Sequence, residues 1–281
     1  MKPSKEVNPM AHSPTAALPV PLTFPGVVAF SRRQASWFLL GWITLAGLAA
    51  GTTIWFFHYH WIPVVEESIE TFPANLKIQD GRLNHLPPDS VTRHQNNFLS
   101  LVVSSIASPT GNMTSDFQII LTPEEIRLKS LLGYLALPYP RQQSLNLSAD
   151  HVIPWWNARK GLFTIATFFL ITGGLLIMWT GLATCYYVPL SVASFFADRR
   201  TEFWPTWRLA GSILVPGVII MTISILLYGL HLLSLLGLLL SACLHLIIGW
   251  VYLAGAIRHI PRVPESAMIS KNPFSGQNLT L

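Results

Sequence analysis

Four long apolar segments, unequally spaced, place the strongest limit on what this 281-residue chain can fold into. The first, Trp37–Phe57, stands alone, and the other three lie between Leu162 and Ile257. Each runs for at least 21 residues without a charge, and about 20 apolar residues cross roughly 30 Å of hydrocarbon. The pattern predicts an α-helical membrane protein with four spans and one folded domain between the first two spans.

Positive charges near the span ends predict the orientation of the chain, because cytoplasmic segments are enriched in lysine and arginine. Such residues precede the first span, separate the second from the third, and follow the fourth: Lys2, Lys5, Arg32, Arg33, Arg199, Arg200, Arg208, Arg258, Arg262 and Lys271. The link between the third and fourth spans has none. We therefore expect both termini in the cytoplasm, although Arg159 and Lys160 oppose this weakly.

The first span is interpreted as an uncleaved signal anchor, because its polar lead of 36 residues is too long for a signal peptide. Six prolines among the first 26 residues favour a disordered tail before it. The predicted parts are a cytoplasmic tail (1–34), span one (35–57), an extracytoplasmic domain (58–158), span two (162–184), a cytoplasmic linker (185–208), span three (209–230), span four (235–257) and a cytoplasmic tail (258–281).

The segment between the first two spans predicts a small α+β domain. Apolar residues at helical spacing over Ile62–Phe72 indicate an amphipathic helix. Asp80-Gly81, between two alternating runs, is typical of a tight β-hairpin. Phe98–Ile106 is rich in valine, leucine and isoleucine and predicts a buried strand.

The second half of this domain gives a strand, a helix and a last strand. Phe117–Leu121 predicts a strand, and Thr122-Pro123-Glu124-Glu125 has the residues of a helix start. We therefore expect a helix over Glu124–Leu132. Leu145–Leu147 predicts a final strand, and the sheet is expected to be mostly antiparallel.

The segment Phe72-Pro73-Ala74-Asn75-Leu76-Lys77-Ile78-Gln79-Asp80-Gly81 resembles one in an uncharacterised bacterial family of polytopic membrane proteins. Some members of that family are labelled maltodextrin-utilisation membrane proteins. The similarity extends to Ile120–Glu125 and to Arg208-Leu209-Ala210 with Pro216 in a later span. It covers roughly residues 35 to 257, and the long proline-rich N terminus departs from it. The resemblance implies a bacterial inner-membrane protein and no catalytic residues.

Two residues within the spans are candidates for function. His245 lies near the middle of the fourth span, where an ionisable group is costly unless it faces the bundle interior or a wet cavity. Its possible partners are hydroxyl groups of the third span: Ser212, Thr222 and Ser224. Pro216 interrupts helical hydrogen bonding in the third span, as at some transport sites. The more ordinary interpretation is a neutral histidine hydrogen-bonded to a neighbouring span at His245 and a simple helix kink at Pro216.

Signatures of catalysis and of metal or cofactor binding are not found in the sequence. It has no Gly-x-Ser-x-Gly, no His-Glu-x-x-His and no Gly-rich phosphate loop. His58 and His60 are two residues apart and diverge on a helix, so we predict no metal site there. The basic residues flank spans, which does not indicate nucleic-acid binding.

The leading hypothesis is a non-enzymatic membrane protein whose external domain binds a partner or ligand, as an accessory or scaffold. The partners expected are the lipid bilayer and either another membrane protein or further copies of this chain. One alternative is a subunit of a transporter with a path lined by the third and fourth spans. The other is an enzyme of the cell envelope embedded in the membrane.

Overall fold

A computed structural model describes residues 22–86, 91–106, 115–199 and 202–262. Its contacts divide them into two compact units. The first unit contains the described residues through Trp42, then Ile177–Ile219, and those from Leu244 onward. The second unit contains Ile43–Leu176 and Ile220–Cys243. The predicted tails at 1–21 and 263–281 lie outside the described residues.

Within the described residues, four helices are long and apolar enough to cross a membrane, which fits a helical membrane protein. In chain order the helices are α1 (Phe24–Ser31), α2 (Ala35–Phe56), α3 (Ile62–Glu70), α4 (Ala149–Phe196), α5 (Phe203–Gly229) and α6 (Leu235–Ile257). A π-helical turn, Phe57–Trp61, joins α2 directly to α3. The candidate spans are this continuous segment, α4, α5 and α6, and α6 has the predicted bounds of the fourth span.

The prediction of a disordered tail through residue 34 is wrong for its last part, because α1 occupies Phe24–Ser31. Thr23 caps this helix, with its hydroxyl oxygen accepting a hydrogen bond from the Gly26 amide at 3.1 Å. Proline at the second helical position is tolerated because no amide hydrogen is needed there. Val27 and Val28 are buried, so packing as well as capping stabilises the helix.

Helix α4 extends beyond both ends of the predicted second span, into residues of the predicted extracytoplasmic domain and of the predicted linker at 185–208. It begins at Ala149, directly after Ser148, whose carbonyl accepts hydrogen bonds from the amides of His151 and Val152. It ends at Phe196, just before Asp198 adopts a φ of 52°. Because α5 begins at Phe203, most of the predicted linker is helical.

In the part of the chain that the structure describes, the extramembrane domain consists of α3 and eight strands, all within the second unit. The strands are β1 (Lys77–Gln79), β2 (Arg82–Asn84), β3 (Val91–Gln95), β4 (Leu99–Ser104), β5 (Phe117–Leu121), β6 (Glu125–Ser130), β7 (Gly133–Pro138) and β8 (Leu145–Asn146). One sheet has the order β2-β1-β8 and the other β3-β4-β5-β6-β7. All pairs are antiparallel except β4 with β5, which are parallel.

Local sequence chemistry explains the hairpin and the core of this domain. Asp80 and Gly81 have φ values of 54° and 75°, so both central residues of the β1–β2 turn are left-handed, as a type I′ turn requires. The strands bury their apolar faces against α3 in a core that contains Val64, Leu76 and Leu99. Tyr139 also lies in this core, donates a hydrogen bond to the Thr122 carbonyl at 2.9 Å, and has a pKa raised by burial.

The helix predicted over Glu124–Leu132 is wrong, because Glu125–Ser130 form strand β6. The Thr122 hydroxyl accepts from the Glu125 amide at 3.3 Å and donates to the Glu125 carbonyl at 2.8 Å. These bonds close a turn between β5 and β6 instead of capping a helix. The alternation of polar and apolar residues from Glu125 to Ser130 is the strand signal that decides the outcome.

Candidate functional site

The structure brings His245 and Pro216 to the same contact between α5 and α6, within the first unit. Pro216 is fully buried inside α5, and Gly217 follows it against the His245 ring. A Cβ atom at Gly217 would lie 2.8 Å from His245 Cδ2 and 2.9 Å from the His245 carbonyl oxygen. The pair therefore forms a close approach of two helices, which agrees with a packing role.

Two of the hydroxyl groups expected near His245 bind their own helix instead. Ser212 Oγ donates to the Arg208 carbonyl at 2.8 Å, and Ser224 Oγ donates to the Ile220 carbonyl at 2.9 Å. Both are bonds to the residue four positions earlier, a common way for serine to satisfy its hydroxyl inside an apolar helix. The functional role of His245 stays a prediction.

Within the described residues, no three histidine, cysteine or acidic side chains come together as a metal-binding group would require. Instead, the His60 ring packs among aromatic residues at the end of α2. Its centroid lies 4.5 Å from that of Phe98, 5.3 Å from Phe56 and 5.7 Å from His231. His60 lies in the π-helical turn Phe57–Trp61, which orients its ring toward these aromatic residues. No sequence signal predicts that turn.

An aromatic cluster lies where the extramembrane domain meets the helix ends of the second unit. Its buried members are Phe56 at the end of α2, Phe98 just before β4, Tyr228 near the end of α5, and Leu235 at the start of α6. The Phe98 ring lies 5.1 Å from Phe56 and 4.8 Å from Tyr228. The cluster therefore attaches the sheet to three of the long helices.

A charged hydrogen bond adds to this attachment. The Tyr228 hydroxyl donates to Asp116 Oδ2 at 2.7 Å, just before β5 begins. Asn96 Nδ2 donates to the His60 carbonyl at 2.5 Å, and its Oδ1 accepts from the amides of Phe98 and Leu99. Sequence reasoning missed the bonds from Tyr228 to Asp116 and from Asn96 to His60 because each joins residues far apart in the chain.

Replacing Tyr228 with phenylalanine is expected to lower the free energy of unfolding by about 1.5–3 kcal/mol, because a hydrogen bond to a charged group is lost. The ring contacts with Phe56 and Phe98 remain, so the loss reports the hydroxyl alone. Thermal or denaturant unfolding in detergent micelles measures the change. Tyr59→Phe is the matched control, since Tyr59 is 63% exposed. Equal midpoints for the two variants would contradict the prediction.

The strongest candidate for recognition is strand β7 at one edge of the five-stranded sheet. Only β6 pairs with it among the described strands, so its outer side presents backbone amide and carbonyl groups. The ten residues Leu131–Pro140 carry no charge. Tyr134, Leu135 and Leu137 are nevertheless exposed. An uncharged edge of this kind is a template for pairing with another strand.

The opposite edge of the same sheet, β3, is protected in the usual ways. It carries Arg93 and His94, and α3 packs against it. His94 Nε2 lies 3.0 Å from Thr71 Oγ1, and its Nδ1 lies 3.8 Å from a Glu67 carboxylate oxygen. Charges and a covering helix both discourage strand addition. The contrast marks β7 as the edge that is open to a partner.

An apolar groove of about 540 Å³ lies between Trp61 and the face of β5, β6 and β7. Strand register explains why this face is apolar, since Ile119 is opposite Leu128 and Leu128 is opposite Leu135. Directly opposed residues point to the same side of a sheet, so the three form a continuous apolar row. Leu132 lines the groove at the β6–β7 turn, and Lys129 is its one charged lining residue.

The other face of β6 is polar. Arg127 Nε donates to Glu125 Oε1 at 2.7 Å, and this hydrogen bond raises the pKa of Arg127. The Tyr134 hydroxyl lies 3.4 Å from the same carboxylate oxygen. These groups satisfy one another, whereas on the apolar face the domain core covers only part of the sheet and Leu135 stays exposed. The sheet therefore offers a polar side, an apolar side and an open edge.

In comparisons with protein-family models, curated proteins and solved structures, nothing matches this chain. The resemblance to the bacterial membrane-protein family stays a prediction. The geometry of the sheet, its open edge and its groove is therefore the basis for assigning a function.

Proposed function

We propose that this protein is a non-enzymatic membrane protein whose extramembrane domain binds a partner protein by strand addition at β7. The open edge of β7 carries the proposal. Its exposed backbone groups offer the hydrogen bonds, and its uncharged side chains select an extended partner segment that is itself apolar and without charge. The four spans hold the domain beside other membrane proteins, which fits an accessory or scaffold role.

The proposed location is a bacterial inner membrane with both termini in the cytoplasm and the extramembrane domain outside. The distribution of lysine and arginine supports this orientation. Lys160, which opposed it in the sequence, donates to Glu66 Oε1 at 2.9 Å, and the Trp156 indole donates to the same oxygen at 3.0 Å. Because Glu66 balances the charge of Lys160, this lysine is weaker evidence against an orientation with both termini in the cytoplasm.

A photo-crosslinking residue in place of Tyr134, introduced into the full-length protein in its native membrane, tests the proposal. We expect one adduct with a different protein, formed at stoichiometric level. Leu137→Lys in the same background is expected to reduce that adduct at least about tenfold, which corresponds to roughly 1.4 kcal/mol in binding free energy. The reason is that a lysine on an edge strand opposes pairing with an uncharged strand.

The matched control is Val91→Lys, an exposed position on the opposite edge strand β3. It adds the same charge to the same sheet and is expected to leave the adduct unchanged. An equal loss with both lysines would contradict strand addition at β7, since it would report a general effect of charge. An adduct between two copies of this chain would contradict the proposal that the partner is a different protein.

A further inference from the structure

The β6–β7 turn lies at the end of the domain that meets the helices. Phe117 is opposite Ser130, and Ser130 is opposite Gly133. Phe117 packs against the aromatic cluster formed with the ends of α2, α5 and α6. The turn between Ser130 and Gly133 therefore lies at the end of the sheet that packs against those helix ends, which is the side where a bilayer spanned by the helices would lie.

The two residues of that turn are both leucines with largely exposed side chains. Leu131 is 60% exposed and Leu132 is 69% exposed. A pair of leucines at a turn is unfavourable in water and favourable where the turn reaches the acyl region of a bilayer. Tyr134 and Trp61 lie next to the turn, and both residue types are enriched at membrane interfaces.

We propose that the groove beside Trp61 binds the acyl chain of a membrane lipid, which enters from the leaflet on the side of the domain. The groove begins at Leu132 in this turn and continues along the apolar row of the sheet to Leu99 and Phe117. Its volume of about 540 Å³ falls in the range of about 300–1,000 Å³ typical of small-molecule sites. Its lining is apolar, as an acyl chain requires.

Lys129 lies on the polar face of β6 with Arg127, since its partners across the strands are Gln118 and Tyr134. It comes one residue before Ser130, close to the membrane end of the strand. A lysine there can extend its amine to a lipid phosphate at the bilayer surface, while the acyl chain lies on the other face of the sheet. This inference concerns the groove face and does not depend on a protein partner at the outer edge of β7.

Photoactivatable lipids test the inference on the full-length protein in nanodiscs that contain no other protein. One phospholipid probe carries a diazirine near the end of an acyl chain, and a second carries it on the headgroup. After irradiation, mass spectrometry maps the labelled peptides. We expect the acyl-chain probe to label the peptide that contains Leu128–Leu135, in addition to the spanning helices. The headgroup probe is expected to label near Lys129 and not the groove interior.

Two variants separate binding from folding. Leu132→Asp places a charge at the entrance and is expected to reduce acyl-chain labelling of the groove at least about tenfold, because a carboxylate is strongly disfavoured in hydrocarbon. Leu135→Phe fills the groove while keeping its surface apolar and is expected to do the same. The control is Leu145→Asp, an exposed leucine of β8 that does not line the groove. Labelling of the helices reports that each variant is inserted and folded.

Labelling of the groove peptide, compared among the variants, tests whether an acyl chain binds there. Loss of groove labelling in both groove variants, with the control and the helices unchanged, supports the inference. Labelled helices with an unlabelled groove would overturn it. So would labelling that persists when Leu135→Phe occupies the space, since the chain would then lie outside the groove. Because the nanodisc holds no partner protein, none of these outcomes depends on the adduct expected at Tyr134.

Discussion

Replacing Phe98 with alanine will lower the free energy of unfolding by about 3–5 kcal/mol, the usual cost of removing a buried phenylalanine ring. Phe98 is 2% exposed and lies between Phe56 and Tyr228, with the His231 ring 4.5 Å away. Denaturant unfolding in mild detergent, followed by near-ultraviolet circular dichroism, measures the loss.

The control for this prediction is Phe169→Ala in α4. Phe169 is 67% exposed, so its ring leaves no cavity inside the protein when it is removed. We also expect Phe98→Ala to increase protease cleavage within the extramembrane domain while the long helices stay intact. A variant as stable as Phe169→Ala would show that the aromatic cluster does not attach the domain.

The second large effect is expected from Gly217→Ala, which should destabilise the protein by about 1–3 kcal/mol. The added methyl group would meet the backbone carbonyl of His245 as well as its ring. A side chain can rotate away, but the carbonyl moves only with α6 itself. Thermal unfolding in detergent micelles, monitored by circular dichroism at a helix band, measures the change.

Gly174→Ala is the matched control, because Gly174 is also helical and a Cβ there meets nothing within 4 Å. Alanine favours the helix by about 1 kcal/mol over glycine, so this control is expected to be neutral or slightly stabilising. His245→Ala should not rescue Gly217→Ala, since the carbonyl remains. Full rescue would show that the ring alone limits the approach of α5 and α6.

The spans and the first hairpin could be predicted because their signals are local. A run of apolar residues as long as Leu235–Ile257 has few alternatives to a membrane helix. Asp80-Gly81 specifies its turn through the left-handed conformations that those residues accept. In both cases the deciding chemistry lies within the segment itself.

Strand β6 shows where local signals conflict. Thr122, Pro123 and Glu125 suit a helix start, and the hydrogen bonds that Thr122 makes with Glu125 would also fit one. The alternation over Glu125–Ser130 favours a strand, and β5 and β7 on either side supply the backbone partners. Pairing with neighbouring strands determines the secondary structure of such a segment. A local signal for a helix start therefore does not predict it correctly.

The open edge of β7 and the groove could not be predicted from the sequence for a related reason. The open edge of β7 exists only because the sheet order places β7 last, and the groove exists only because Trp61 lies opposite β5 and β6. The uncharged run Leu131–Pro140 is the sequence signal for this edge. Without the strand order, that run does not distinguish a buried segment from an exposed edge.

The pairing of β1 with β8 has a consequence for how the domain forms during synthesis. Ile78 is opposite Leu145, and the Leu147 amide donates to the Leu76 carbonyl at 2.8 Å. These partners are separated along the chain by every other strand of the domain. Contacts of such long sequence separation form late, since the intervening chain must be ordered first. The small sheet is therefore completed only after the ribosome has made the residues that lead directly into α4, so that maturation of the domain and insertion of the second span become successive steps.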